Sequence, residues 1–131
     1  MSRGSAGRLL LRSHDLRESV LERVVAALAA RADLPIDRVA DAQLVAAAIV
    51  AATADSGVEP LSVGLDARDD AVGLEVGPLA PGEAARVVAD SAVPGVGPVL
   101  ERLVDGWSVD RCGDGNEVLR LTIGAGAPAT Q

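Results

Sequence analysis

The chain has 131 residues, the size of one domain, and 49% of them are hydrophobic, which is enough for a sizeable core. Only 1% are aromatic, so that core must consist of Leu, Val, Ile and Ala. A formal charge of −7 without a basic run argues against nucleic acid as the main partner. A lone cysteine excludes an internal disulfide, and the first residues carry no signal-peptide pattern. A cytoplasmic protein is therefore expected.

The first elements predicted are a short strand and an amphipathic helix. Three leucines bracketed by arginines at residues 8–12 favour the strand. Asp15 and Glu18 have the capping-box spacing, which satisfies two free amides at a helix start. An apolar stripe at helical spacing then continues, so a helix is predicted over about residues 16–32.

The second predicted helix is the centre of the domain. Asp37 is a plausible cap for it, and it is expected to run to about residue 54. Its second half, residues 44–54, is apolar at every position except Thr53. A helix that is apolar all round must be buried on more than one side, and this one is too short to span a bilayer.

A β-hairpin follows the two helices. Apolar and polar residues alternate over 61–65 and over 72–76, which predicts two half-buried strands joined by the polar link 66–70. Residues 78–82 read as a loop because they contain two prolines and a glycine. A short helix is predicted over 83–90.

A second hairpin closes the chain. Pro98 suits the first turn of a helix that is expected to reach about Val104. Strands are predicted at 107–111 and 117–123, with the turn at 112–116 between them.

Together these elements predict an α+β fold, a two-layer α/β sandwich in which a mixed, mostly antiparallel sheet has helices on one face. The domain is expected to span residues 8–123. Residues 1–7 and 124–131 are small, polar or rich in glycine and proline, and are predicted to be disordered tails.

No residue carries a catalytic signature by itself. His14 is the single histidine and Cys112 the single cysteine, and both are interpreted as ordinary structural or surface residues. Residues 113–116 lack the spaced acidic ligands of a calcium loop and are interpreted as a turn. Gly95–Gly97 leads into a helix, where a phosphate could bind, but the pattern alone is weak. Trp107 is expected to fill a gap in the core or at a sheet edge.

In their order, these pieces resemble the histidine-kinase-like ATPase (GHKL, or Bergerat) domain, in the small anti-sigma-factor serine/threonine kinase branch. The resemblance implies the Bergerat type of sandwich, over about Leu9 to Ile123. The stretches that carry it are residues 33–39 leading into 44–54 (the asparagine-box helix), 71–76 (the strand before the first glycine box), 95–105 (the second glycine box and its helix), and 107–111 with 115–118 and 121–123 (the closing hairpin).

The resemblance also implies where a nucleotide cleft would lie, and the functional positions there have changed. The family's catalytic Glu falls on Ala48, its magnesium-binding Asn on Ala52 and its adenine-binding Asp on Pro78. A small shift of the alignment does not restore the site, because no Glu or Asn occurs between residues 41 and 55. The vestigial cleft would be lined by Ala48, Ala52, Pro78, Gly82, Gly95, Gly97 and Asn116. In nucleotide-binding relatives the segment 82–97 is a mobile lid.

Losing a general base alone costs roughly 10²–10⁴-fold in rate. We therefore expect a domain without catalytic residues and without ATP or magnesium as cofactors. It would act as a regulatory protein-binding module in transcription or stress signalling. The expected partners are a sigma factor, a STAS-type anti-anti-sigma factor or a second copy of the chain, rather than nucleic acid or a membrane.

Three other interpretations stay open at this point. The chain could be an active ATP-dependent serine/threonine kinase that phosphorylates a STAS-type antagonist through an unconventional site. It could be a regulator outside sigma-factor control. It could also bind a small molecule in the cleft between Pro78 and Gly97.

Overall fold

In the computed structural model of the chain, residues 5–12, 14–54, 60–93 and 97–124 are described. Their helices and strands follow the predicted order, with one additional pair of very short strands. In chain order the elements are β1 (Ser5–Leu11), α1 (His14–Arg31), α2 (Ile36–Thr53), β2 (Leu61–Arg68), β3 (Ala71–Leu79), α3 (Glu83–Ala89), β4 (Ala92–Val93), β5 (Gly97–Pro98), α4 (Val99–Leu103), β6 (Gly106–Arg111) and β7 (Glu117–Gly124).

Five strands form the main sheet in the order β1-β2-β3-β7-β6, and every neighbouring pair is antiparallel. The predicted α+β two-layer sandwich is therefore confirmed. Its sheet is antiparallel rather than mixed. The pairing of β3 with β7 joins the two hairpins, and this brings the end of the first hairpin beside the start of the last strand.

One face of the sheet carries the core. Leu65 lies opposite Leu74, and Leu74 lies opposite Leu121, so apolar side chains form continuous rows across the strands. Leu21 of α1 and Ile49 of α2 are completely buried in the same cluster. The core is built from Leu, Val, Ile and Ala, as the composition predicted.

The starts of the first three elements differ from the prediction. β1 begins at Ser5, so residues 5–7 belong to the sheet rather than to a tail. α1 begins at His14, which places Asp15 in the first turn instead of at the cap. α2 begins at Ile36 directly after Pro35, whose φ of −58° already suits a helix, and Asp37 lies in its first turn.

The first hairpin is longer than predicted. β2 and β3 extend until only Asp69 and Asp70 remain between them, and Asp70 adopts a positive φ of 58°. Pro78 lies within β3, where a loop was predicted. The register shifts between Val76 and Leu79, and such an irregularity accommodates a residue without an N–H group.

The expected burial of α2 on more than one side is confirmed, since it contacts α1, α3, α4 and β7, and Trp107 lies at a sheet edge, one of its two expected places. Some apolar side chains are nevertheless exposed. Leu44 is 41% exposed and Ala51 is exposed, so one side of α2 faces solvent. Trp107 is 42% exposed on the edge strand β6 and does not belong to the core. In the described ranges, no helix combines the length and the apolar character needed to cross a membrane.

Candidate functional site

The second half of α2 is where the resemblance places catalysis and magnesium binding, and the structure covers it. Ala48 is 3% exposed and belongs to the core cluster. Ala52 is partly buried, and its backbone carbonyl accepts a hydrogen bond of 3.2 Å from Nη2 of Arg86. Ala48 is therefore enclosed by the protein, and Ala52 is tied to Arg86 through its backbone carbonyl.

Helix α3 is the element that brings Arg86 to this position. Ala84, Val87 and Val88 are all at most 2% exposed, so α3 buries one apolar side completely. The helix contacts α2, α4 and β7. A segment that the resemblance assigns to a mobile lid thus contributes three side chains to the core.

Arg86 is held by its own helix as well. Its Nε and Nη2 each donate to Glu83 at 2.8 Å, and its Nη1 donates to Asp90 at 3.2 Å. Donating hydrogen bonds to Glu83 raises the pKa of Arg86, and accepting them lowers the pKa of Glu83. These bonds hold the guanidinium so that its remaining donor reaches α2.

Glu117 is a buried carboxylate that the sequence analysis did not single out. It begins β7 and is 5% exposed. Its Oε1 accepts the backbone N–H of Ala84 at 3.2 Å, and its Oε2 accepts Nη2 of Arg111 at 3.2 Å. Hydrogen bonds from the backbone N–H groups of Gly82 and Ala84, and from the side chain of Arg111, lower the pKa of Glu117. The carboxylate therefore fixes the start of α3 against β7.

The other positions that the resemblance assigns to the cleft lie on several different elements. Pro78 is exposed on β3, and Gly82 starts α3 with a positive φ of 85°. The side-chain amide of Asn116 donates to Asp114 at 3.2 Å within the hairpin turn. Gly97 lies in β5, while Gly95 falls outside the described residues. Arg86 links Ala52 to α3, and Glu117 links Gly82 to the strand that follows Asn116.

These residues do not fit a bound magnesium–nucleotide. The two alanines on α2 offer neither a carboxylate nor an amide, and Pro78 has no side-chain acceptor for an adenine amino group. The charged groups nearby, Arg86 and Glu117, are bonded within the protein.

The helix-free face of the sheet holds a second candidate region. A cavity of about 480 Å³ is open there, with Arg8, Arg68 and Arg120 around it. Arg8 is 3.5 Å from Glu75, Arg68 is 3.1 Å from Asp66, and Arg120 pairs with Glu75 and Asp110. The cations are thus neutralised by carboxylates of the same surface. A Cβ at Gly73 would collide with Oδ1 of Asp66, so the glycine makes room for that carboxylate.

A buried polar cluster at the other end of α2 ties the layers together. Arg38 is 8% exposed, and its Nε donates to the carbonyl of Gly124 at 2.9 Å. Nη1 donates to Asp41 at 2.9 Å and to the carbonyl of Leu103 at 3.0 Å, and Nη2 donates to Asp105 at 2.6 Å. Because every contact is made within the fold, the cluster acts as a structural clamp.

The structure does not bring Cys112 or His14 into a candidate site among the described residues. Cys112 is exposed in the β6–β7 turn, as predicted for that turn. Within the described part of the chain, no three side chains of His, Cys, Asp or Glu lie close enough together to hold a metal ion. His14 begins α1, and its side chain is outside the described atoms.

Comparison with protein-family models gave no match for this chain, and a search of curated proteins gave none either. The family resemblance therefore depends on the short sequence pieces and on the order of the elements.

Proposed function

We propose that this domain is a catalytically silent relative of the anti-sigma-factor kinases and that it works by binding another protein. One observation carries the proposal: Ala48 is buried in the core, and Arg86 of α3 donates a hydrogen bond to the backbone carbonyl of Ala52. Where the resemblance would place a nucleotide, this chain has a buried alanine and an arginine bonded to the helix end.

The energy needed to reopen the cleft supports a loss of nucleotide affinity. Moving α3 away would expose Val87 and Val88, which costs at least about 3 kcal/mol at roughly 1.5 kcal/mol for each side chain. It would also break the hydrogen bonds to Ala52 and to Glu117, each of which contributes about 1 kcal/mol. This free-energy cost would weaken nucleotide binding by at least about a hundredfold. Moving α3 would not add a protein ligand for magnesium.

The partner we propose is a sigma factor or a STAS-type anti-anti-sigma factor in the bacterial cytoplasm. The net charge of −7 favours a partner that presents a basic surface. The family resemblance supplies the partner class, and the covered cleft favours contact over phosphoryl transfer as the mode of action.

The nucleotide half of the proposal is tested by calorimetric titration with magnesium-ATP. We expect no binding in the micromolar range, whereas an active anti-sigma-factor kinase titrated in parallel should bind. A micromolar dissociation constant would overturn this half. Transfer of radiolabelled phosphate from ATP to a STAS-type protein would instead establish the active-kinase alternative.

The binding half is tested with purified proteins. Sigma factors and STAS-type proteins encoded in the same genome are titrated against the domain, and sedimentation detects complexes. We expect one of them to form a stoichiometric complex in the absence of nucleotide. If a folded domain binds none of them, the partner class is wrong, while the result of the ATP titration is unaffected.

A further inference from the structure

The outer edge of β6 is exposed and apolar on one face. β6 ends the sheet, and all six of its residues are exposed. Trp107 lies opposite Leu121 and Val109 opposite Leu119, so both point to the helix side, yet they are 42% and 37% exposed. In the described ranges no strand pairs with this edge. An open edge with apolar side chains favours pairing with a further strand.

The hydrogen-bonding direction of β6 follows from its hairpin turn. The N–H of Cys112 donates to the carbonyl of Asn116 at 2.7 Å, so these two residues form a hydrogen-bonded pair. Bonded pairs alternate along an antiparallel ladder. The even-numbered residues of β6 therefore bond to β7. Trp107, Val109 and Arg111 direct their N–H and C=O groups outward to the free edge.

We propose that β6 pairs antiparallel with β6 of a second copy of this chain, about a two-fold axis at Val109. Val109 then lies opposite Val109 of the second copy, and Trp107 lies opposite Arg111 of the second copy. All three outward-facing residues of each strand exchange backbone hydrogen bonds. The two five-stranded sheets become one continuous sheet, with the helices of both copies on the same side.

The side chains select this register over its neighbours. In the chosen register Trp107 lies opposite Arg111, whose guanidinium also donates to Glu117, and a cation–π contact would add to that pair. Ser108 lies opposite Asp110, which pairs with Arg120 and can accept a further hydrogen bond. Moving one copy two residues in one direction would place Asp110 against Asp110, which like charges disfavour. In the other direction Ser108 faces Ser108, and Arg111 lies opposite Asp105 of the second copy. The N–H of Asp105 already donates to the carbonyl of Thr122, so it cannot also bond to the backbone of Arg111.

This self-pairing is independent of the proposed function. It uses a sheet edge that contains none of the cleft residues, and it requires neither a nucleotide nor a sigma factor. A strand whose apolar and charged positions complement its own sequence favours a second copy over an unrelated peptide.

Substitutions at the two-fold axis test the proposal. Sedimentation of the full chain over a range of concentrations should show a dimer. Val109→Lys and Val109→Glu should each raise the dissociation constant at least about tenfold, because each places like charges opposite one another. An equimolar mixture of the two variants should restore association, since opposite charges then meet. Leu10→Lys, on the other edge strand at a position that is 56% exposed, is the matched control and should dimerise like the unsubstituted chain.

Cross-linking tests the register. Hydrogen-bonded residues facing each other lie about 5.5 Å apart between Cα atoms, within the range that a disulfide spans. Val109→Cys in a Cys112→Ser background should therefore give a covalent dimer on oxidation, and Leu10→Cys in that background should not. A chain that stays monomeric, variants that dimerise as well alone as mixed, or equal cross-linking at both edges would each overturn the proposal.

Discussion

The two ends of α2 are fixed by different kinds of interaction. At its start, Arg38 bonds to two carboxylates and two backbone carbonyls. Toward its end, Ala48 is enclosed by apolar packing, and one hydrogen bond from Arg86 reaches the helix at Ala52. A buried charge thus serves the architecture at one end, and among the described residues α2 carries no buried charge at the end where the resemblance places catalysis.

The difference teaches that polarity alone does not locate a functional site in this fold. Arg38 and Glu117 are the buried charged residues of the described chain, and the contacts of both lie within the protein. Each joins elements that are distant in sequence. Substitutions can show whether the polar end of α2 is a clamp and whether its apolar end is filled.

The largest effect is expected at Arg38. Arg38→Met keeps the length of the side chain but removes every donor. The carbonyls of Leu103 and Gly124 would lose this donor, and Asp105 would keep only the N–H of Gly124. Leaving buried acceptors unpaired costs about 3 kcal/mol in total. Urea denaturation, extrapolated linearly to water, measures the loss.

Arg23→Met on the exposed side of α1 is the control, and we expect it to change the free energy of unfolding by less than about 0.5 kcal/mol. Equal effects at the two arginines would mean that the Arg38 cluster does not hold the layers together.

The Arg38 cluster also shows which features of the fold could not be predicted from the sequence. The strands of both hairpins were predicted because alternation is a local pattern, and the two long helices because their apolar spacing is local. The cluster was not predicted, since Arg38 and Gly124 are 86 residues apart. Glu117 and Ala84, 33 residues apart, escaped for the same reason.

Element ends and the surroundings of the cleft were also hard to predict. Asp15 and Asp37 resemble caps in sequence but lie inside the first turns of their helices. Pro78 looks like a loop residue, yet an irregular register places it in β3. The bonds of Arg86 to Glu83 and Asp90 have helical spacing and could have been predicted from the sequence. The contact of Arg86 with Ala52, 34 residues away, could not.

The next largest effect is expected at Ala48, where a larger side chain tests whether the space around this residue is already occupied. Ala48→Leu adds three carbon atoms at a position that is 3% exposed, and overpacking of this kind costs about 1–3 kcal/mol. Ala51→Leu adds the same atoms at an exposed position of the same helix, where we expect a change below about 0.5 kcal/mol. Denaturant midpoints of the two variants give the comparison. Similar stability of both variants would mean that an open cleft lies beside Ala48, and it would remove the main support for the silent-domain proposal.

A smaller effect is expected at Arg86, which joins α3 to that end of α2. Its side chain is 38% exposed, so its ion pairs are screened by solvent, and Arg86→Met should cost less than about 1 kcal/mol in total. The local effect should be larger than the global one. Hydrogen exchange should become faster for the amides of α3 and remain unchanged for those of α1. Faster exchange in both helices, or in neither, would contradict a local role for Arg86.

The smallest effect, Glu117→Gln, is best seen as a change in pH dependence. Hydrogen bonds from Gly82 and Ala84 and the pairing with Arg111 lower the pKa of Glu117 below its ordinary value of 4.5 in the folded protein. The unfolded chain therefore binds the proton more readily, and the stability that this carboxylate contributes is present above the ordinary pKa and is lost as the pH falls through the lowered one. Glutamine keeps an oxygen acceptor for the Ala84 amide but carries no charge, so its variant lacks this contribution at every pH. Urea denaturation between about pH 7 and about pH 4 should show the variant less stable near neutrality and the gap narrowing in acid. A difference in the free energy of unfolding that stayed constant with pH would mean that the charge of Glu117 does not stabilise the start of α3. Packing of the apolar side chains of α3 would then be what holds this helix against the end of α2.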